Sequence, residues 1–594
     1  MKRIAKNFCG IALVALSATA LILPQYAAAM PPHERLYEQQ AAGKVSLPPV
    51  VVDQAALHER GICTGDDDVM RRFLLQQAAD RRADGVAQDA SAGPFHILAL
   101  LVDFSDHTAS VAPSYFDSML FSTSGSTVRS YYDEVSYSQI DLITVSTNEP
   151  SDLGWLRAPE TYDYYVNDQN GMGSYPQNSQ GLVDDLVDMV NPTVDFSNYD
   201  NDGDGYVDVL LVIHSGTGAE YAGGTTDIWS HKWGLPFLKT ADGVIISSYT
   251  VQPEFWQSPG DMTIGVYCHE LGHGFGLPDL YDVDYTSQGI GKWGLMAGGS
   301  WNGSLGNSPA HPSAWCRVQM GVSTPVTVST NMINQSIGAV ESGGSILKLT
   351  PYGAAADEYF LIENRQRTGF DFGLPSSGLL IWHVHESAPS SYGSNSYEWY
   401  PGQPSGNHFV VALEQADGLF ELENTSGSTF AASDAGDPFP GSSKRYLFGD
   451  TGTVNASSYY NDTVTSMIAN INDTTSAPAI TADLVVGLAS DIGDDDPVTL
   501  PNSVVLAQNY PNPFNPSTVI AFSISVAADV TLEVFNVLGQ RVTTLLDGPV
   551  TAGEHQVIWD GTETDGQSVA SGIYFYRLTV ESNEREVKKM VLVR

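Results

Sequence analysis

The sequence predicts a multidomain chain in which a mixed α/β unit is followed by two β-rich units. Three observations carry that expectation. At 594 residues the chain is too long for one hydrophobic core. Between residues 94 and 325, apolar strand-like runs alternate with helical periodicity. From residue 326 onward, short strands are split by Gly, Ser, Asn and Pro. Charged residues at 16% and hydrophobic ones at 42% are in the range of globular proteins.

Taken in order, residues 1–29 read as a signal peptide. Lys2, Arg3 and Lys6 supply the positive start, 11–23 the apolar stretch and Ala27-Ala28-Ala29 the small-residue cleavage site. The apolar stretch is short for a membrane span, and no later segment is long and apolar enough, so the processed chain is expected to lack a transmembrane segment. Residues 30–93 are polar, with a helical signal at 69–79, and stand where a propeptide would stand. The run 95–104 is typical of a buried strand, helices are expected at 128–135 and 181–190, and another buried strand at 207–214. In 326–488, strands at 345–350, 359–363, 378–384 and 409–413 suggest a β-sandwich. Residues 489–503 read as an acidic linker. In 504–594, strands at 530–535, 541–546 and 573–578 with turns at Leu538-Gly539 and Asp560-Gly561 suggest a smaller sandwich.

The formal charge of −42, from 69 acidic against 27 basic residues, repels phosphate backbones and anionic lipid heads. Nucleic acid and membrane surfaces are therefore not expected partners. Calcium is. In Asp200-Asn201-Asp202-Gly203-Asp204-Gly205-Tyr206-Val207-Asp208, carboxylates fall at positions that wrap oxygen ligands around Ca²⁺, with the Tyr206 carbonyl as a further donor. Leu211 takes the place of the Glu that closes an EF-hand, so a structural role is expected rather than a regulatory one.

The strongest chemical signal is His269-Glu270-Leu271-Gly272-His273. On a helix the two histidines are one turn apart and project from one face, able to bind one Zn²⁺. Ile264, Cys268, Leu271 and Phe275 form an apolar stripe roughly opposite them. Glu270 lies beside the ligand face, placed to deprotonate a water whose pKa zinc lowers to about 7, and then to protonate a leaving amine. Two histidines leave the metal a ligand short. Gly276 can adopt positive φ and turn the chain back, Pro278 stiffens the return, and Asp279 becomes the natural third ligand, with Asp282 close by as a rival.

His-Glu-x-x-His-x-x-Gly-x-x-Asp resembles the metzincin pattern, and its continuation Gly276-Leu277-Pro278-Asp279-Leu280-Tyr281-Asp282 is similar to the immune inhibitor A-type metalloproteases. Further matches are Leu101-Val102-Asp103-Phe104-Ser105-Asp106, Tyr131-Tyr132-Asp133-Glu134-Val135-Ser136-Tyr137, Ile228-Trp229-Ser230-His231-Lys232-Trp233, 358–366 and 378–384. The resemblance covers about residues 95–485. It implies a metzincin-like α/β zinc protease domain leading into a β-rich domain, acting on protein and peptide substrates outside the cell. Met296, in Trp293-Gly294-Leu295-Met296, stands where such enzymes carry a Met-containing turn under the metal, as a packing residue rather than a ligand.

After cleavage of the signal, Cys63, Cys268 and Cys316 remain, an odd number for an exported chain. Cys63 is a candidate latency switch, a thiolate able to cap the zinc from the propeptide, and equally a thiol with no such role. Cys268 and Cys316 are a candidate disulfide, with Cys268 as a plain member of the apolar stripe the alternative. His214, His231, His311, His383 and His385 lack metal spacing and are assigned no chemistry. At the far end, Asn509-Tyr510-Pro511-Asn512-Pro513-Phe514-Asn515-Pro516, Val534-Phe535-Asn536-Val537-Leu538-Gly539 and the closing Lys588-Lys589-Met590-Val591-Leu592-Val593-Arg594 resemble the type A (Por) sorting domain of type IX secretion. That implies an immunoglobulin-like sandwich, the type IX machinery as partner, and passage through the periplasm to a secreted or cell-surface location. The rival reading is a non-catalytic surface adhesin on a protease-like fold; a pure binder has no need of Glu270.

Overall fold

The computed structural model describes residues 30–41, 44, 93–283, 286–351, 357–388, 395, 399, 408–424, 433–449 and parts of 454–486 and 505–593. The expected signal peptide, the 489–503 linker and Cys63 lie outside them.

The first unit is built on a five-stranded sheet. The expected run 95–104 divides into β1 (Gly93–His96) and β2 (Leu98–Asp103). The break is at Ile97, whose N–H donates to Ile143 O at 2.9 Å. As a result β1 pairs in parallel with β3 (Ile140–Ile143), whereas β2 enters the main sheet. There β2 lies between β4 (Trp155–Arg157) and β5 (Leu210–Thr217), and β5 is followed by β7 (Val244–Phe255) and, at the edge, β6 (His231–Ala241). All pairings are parallel except β6 with β7. Every residue of β2 is buried, as expected of a parallel strand covered on both faces. The strand expected at 207–214 begins later, because Val207 and Asp208 still belong to the acidic loop: their N–H groups donate to Ile245 O and Tyr199 O.

Helix α1 (Val128–Val135) begins with a reciprocal Thr127–Ser130 capping box and buries Tyr131, Tyr132 and Val135. Helix α2 (Ser179–Val190) is capped by Asn178, whose side chain accepts from Gly181 N–H. Helix α3 (Gly265–Gly274) carries the two motif histidines, and all of its residues are buried.

The β-rich region contains one sheet of β8 (Val326–Thr327), β10 (Leu347–Leu349), β11 (Glu358–Arg365), β12 (Gly378–His385) and β13 (Val411–Leu413). A second sheet holds β9 (Met332–Gly338), β14 (Met467–Asn472) and β15 (Ala479–Val485). One core joins the facing sides through Phe360, Ile362, Leu379 and Ile381 against Ile468, Ile480 and Leu484. The alternate residues Leu361, Leu380, Trp382 and Val411 join a different core, shared with Trp293, Met296 and Cys316 of the first unit. β11 and β12 are therefore buried along their whole length, and the apolar interior continues across residue 325.

The last unit packs β16 (Val505–Leu506), β17 (Thr518–Ile524) and β20 (Gly553–Trp559) against β18 (Ala528–Asn536), β19 (Arg541–Val550), β21 (Gly572–Val580) and β22 (Glu584–Leu592). Phe522, Leu532, Val534, Trp559 and Tyr576 lie in its core. Among the described residues no helix is long and apolar enough to cross a membrane.

Candidate metal centre and active site

Helix α3 is held tightly at both ends. A Cβ at Gly265 would stand 2.1 Å from Ser300 O, so only glycine lets the helix start there. At its end Gly276 adopts φ +91, with Gly276 N–H donating to His273 O and Leu277 N–H to Gly272 O. This left-handed turn reverses the chain and returns Asp279 to the helix.

Each imidazole is fixed by a backbone carbonyl. His269 Nδ1 donates to Leu295 O at 3.0 Å, and His273 Nδ1 donates to Leu277 O at 2.7 Å. In a neutral ring a proton on Nδ1 leaves Nε2 as a bare lone pair. The two Nε2 atoms stand 3.1 Å apart, and Asp279 Oδ1 lies 3.2 Å from the first and 3.3 Å from the second. With both imidazoles neutral, three acceptors converge with no hydrogen to share, which is repulsive unless a cation or an added proton lies among them. Ligands set tetrahedrally around zinc at its usual bond lengths are about 3.3 Å apart, so the triangle has the spacing of a zinc site.

Tyr281 donates to Asp279 Oδ2 at 3.0 Å, which orients Oδ1 toward the histidines. The rival carboxylate, Asp282, instead accepts from Thr286 Oγ1 at 3.0 Å and is not part of the group. Burial works to raise the Asp279 carboxyl, yet His273 and His269 hold it below its ordinary range. Burial lowers His273, against the pull of Asp279.

Met296 is fully buried beneath the helix. A Cβ on Gly272 would stand 2.6 Å from its sulfur, which explains the glycine between the motif histidines. Its neighbour Leu295 supplies the carbonyl that orients His269. The turn is braced from the β-rich side: Arg365 Nη1 donates to Trp293 O, while its guanidinium pairs with Glu363 at 3.1 Å and Asp371 at 2.6 Å.

Glu270 is wholly buried, and neither carboxylate oxygen makes a hydrogen bond of ordinary geometry among the described residues. Burial pushes its carboxyl well above the usual range; Asp279 and Glu220 add to the push, and the Met30 backbone only partly offsets it. A carboxyl in this condition holds a proton readily and passes it on.

Residues 30–36 lie against this site, a feature the sequence did not announce. Met30 is fully buried, its N–H donating to Ser230 O at 3.0 Å and its carbonyl accepting from Trp229 Nε1 at 2.8 Å. Trp301 Nε1 donates to Pro31 O, His33 N–H donates to Glu220 O, and the His33 ring stands edge-on to Tyr221 and Trp301. Lys292 pairs with Glu34. Glu220 is itself pushed up to about 7 by burial and accepts from Ser230.

The acidic loop brings together Asp200, Asp202 and Asp208. Asp204 is exposed and outside that group, its Oδ1 accepting from Tyr206 N–H, while Tyr206 bridges to Ile245. Asp208 Oδ1 is buried without a partner among the described residues, and burial pushes this carboxyl up to about 7. The candidate disulfide is absent: Cys268 and Cys316 are separate buried thiols, Cys316 pushed up to about 12 by burial. Cys268 takes its alternative place among Tyr132, Leu271 and Phe275 in the apolar core. His311 bonds Glu134 and Arg317, and His383 lies between Glu358 and Glu414; neither meets the metal triangle.

Residues 96–322 match the immune inhibitor A peptidase M6 catalytic domain, and 514–585 match the FlgD Ig-like domain. The pre-pro-metalloprotease PrtV of Vibrio cholerae serotype O1 is 28% identical over 278 residues, 37% of this chain and 29% of that one. Immune inhibitor A of Bacillus thuringiensis subsp. alesti is 32% identical over 217 residues, 31% of this chain and 30% of that one. The alignment thus spans under a third of either relative's own length. The solved FlgD of Xanthomonas campestris is 25% identical, covering 16% of this chain and 63% of its own, at a TM-score of 0.11, too low to bear on the fold.

Proposed function

We propose that the chain is a secreted zinc-dependent endopeptidase that hydrolyses peptide bonds of extracellular proteins. The observation that carries this is the converging triangle of His269, His273 and Asp279 with a fully buried Glu270 on the same helix. The immune inhibitor A match over 96–322 and the metalloprotease relatives support the same reading.

His269, His273 and Asp279 would hold the zinc, which when bound supplies a Lewis acid and a lowered water pKa. Glu270 takes the proton of the attacking water and later returns it to the leaving amine. Its dry surroundings favour the protonated form between those events. Tyr281 and the carbonyls of Leu295 and Leu277 keep the three donors aimed at one point. Met296 fills the space beneath the helix and takes no part in proton transfer.

The reading extends to a metzincin-like preproenzyme with a signal peptide (1–29), propeptide (30–93), protease domain (94–325), β-sandwich (326–488), linker (489–503) and type IX sorting domain (504–594). Latency is supported by residues 30–36, whose backbone is anchored on Trp229 and Trp301 and reaches Glu270 at Met30; a capping role for Cys63 stays a separate proposal. The sorting role rests on the quoted motifs and the Ig-like match of 514–585. Asp200, Asp202 and Asp208 support structural calcium, with Asp204 and the Tyr206 carbonyl as further donors.

The test is casein cleavage by the processed wild type and by Glu270→Gln, with and without a zinc chelator. Cleavage by the wild type alone, abolished by chelation, supports the proposal. Equal cleavage by both proteins, or none by either when folded and loaded, rejects it in favour of a binding protein.

A further inference from the structure

On the β-rich side, residues 415–424 and 433–437 lie against 288–293, the approach to the turn beneath the histidines. Gln288 N–H donates to Leu422 O at 2.8 Å, and Lys292 N–H donates to Ser433 Oγ at 2.9 Å. Within this contact three carboxylates converge: one oxygen each from Asp417, Asp434 and Asp437, all within 4.8 Å of one another. Gly436 allows the approach, since a Cβ there would stand 2.1 Å from Asp417 Oδ2 and 2.9 Å from Asp434 Oδ1.

Acidic clusters are common without an ion, and here a second observation decides. Asp437 is fully buried. Its Oδ2 accepts from Trp293 Nε1 at 2.8 Å and from Asp434 N–H at 2.9 Å, but its Oδ1 has no partner among the described residues. Glu421 Oε2 is also buried and without a partner among them. A buried carboxylate oxygen left bare is strongly unfavourable unless a proton or a cation meets it. Burial pushes the Asp437 carboxyl up, and the charges of Asp417 and Asp434 add to the push.

We infer that Asp417, Asp434 and Asp437 form a further divalent-cation site, suited to Ca²⁺, that fastens the segments around these three residues to the turn carrying Trp293. The all-oxygen donor set favours a hard cation over zinc. Its mechanical consequence follows along the chain. The cation holds Asp437, Asp437 holds the Trp293 indole, and two residues on, Leu295 O orients His269. The site would thus couple calcium to the order of the catalytic helix, independently of the loop at 200–208.

The test uses the full chain, stripped of calcium on a chelating resin and titrated with Ca²⁺ by calorimetry and equilibrium dialysis. Asp434→Asn is expected to bind one calcium fewer per chain than the wild type, and Asp202→Asn to retain the ion that Asp434→Asn loses. Terbium provides a local probe, because the Trp293 ring adjoins the site and sensitises a bound lanthanide. Calcium-displaceable, tryptophan-excited terbium emission is expected from the wild type and Asp202→Asn, with most of it lost in Asp434→Asn. Equal calcium stoichiometry and emission in wild type and Asp434→Asn overturns the inference. Should Asp434→Asn fail to fold, Asp417→Asn carries the same expectations, and absence of displaceable emission from the wild type itself overturns it.

Discussion

The histidine triangle and the acidic loop at 200–208 both gather metal-binding groups, but by opposite means. In the triangle, backbone carbonyls fix both imidazoles and a tyrosine fixes the carboxylate, all within a fully buried helix and its return turn. In the loop, carboxylates are bent inward by their own backbone N–H groups: Asp200 accepts from Gly203, Asp204 and Gly205. The first has two nitrogen donors and one oxygen in fixed geometry, a set that suits zinc; the second has only oxygen donors, a set that suits calcium. One lesson is that the first site is built into the core, whereas the second is shaped by the backbone N–H groups of its own loop.

The largest effect expected from this contrast is on catalysis. Glu270→Gln should lower kcat by about 10²–10⁴-fold, the usual worth of a positioned acid–base group, while zinc content stays at wild-type level. A parallel loss of zinc would mean that Glu270 shapes the site rather than moving protons. Next, Tyr281→Phe should weaken zinc binding by about 10–100-fold, as loss of an outer partner of a ligand generally does. Competition with a zinc-sensitive dye measures it; unchanged affinity would show that the Asp279 orientation is set by the turn alone.

A smaller effect is expected at the acidic loop. At a calcium concentration about a hundred times Kd, the wild type should gain about 2.7 kcal/mol of stability from a site of this kind, and Asp202→Asn should lose that gain while keeping its zinc. Thermal unfolding with and without calcium reads the difference. The smallest is a response to acid. His231 is fully buried, donates Nδ1–H to Trp229 O and is pushed down to about 4 by burial. In the unfolded chain it titrates near 6.5, so it binds protons there that the folded state refuses. Its contribution to stability is present above pH 6.5 and is lost as the pH falls through about 4. His231→Gln should flatten stability against pH in that window, and an unchanged slope would assign the acid response to other groups.

Much of the site was legible because its signals are local. The i, i+4 histidines, Gly276 at the turn and Asp279 beyond it are fixed by a single helix and its cap. What was not legible depends on distant packing. The division of 95–104 at Ile97 arises from pairing with β3, more than forty positions away in sequence. The Glu363-Asn364-Arg365 run reads as part of an ordinary strand, yet its arginine braces the Trp293 turn from another sheet. β11 and β12 lack an exposed face because the first unit covers the side that a free-standing sandwich would show to water. Cys268 and Cys316 matched a pairing by count alone, and count carries no geometry. Residues 30–36 carry no periodic pattern, and only their anchorage on Trp229 and Trp301 identifies where they sit.

The most direct measurement is elemental analysis with zinc-edge X-ray absorption on the purified Glu270→Gln protein, which cannot digest itself on this account. One zinc per chain, in a shell of two imidazole nitrogens and oxygen, with no casein cleavage, is the predicted result. A folded protein that takes up no zinc, or holds it without imidazole, would contradict the assignment of His269, His273 and Asp279.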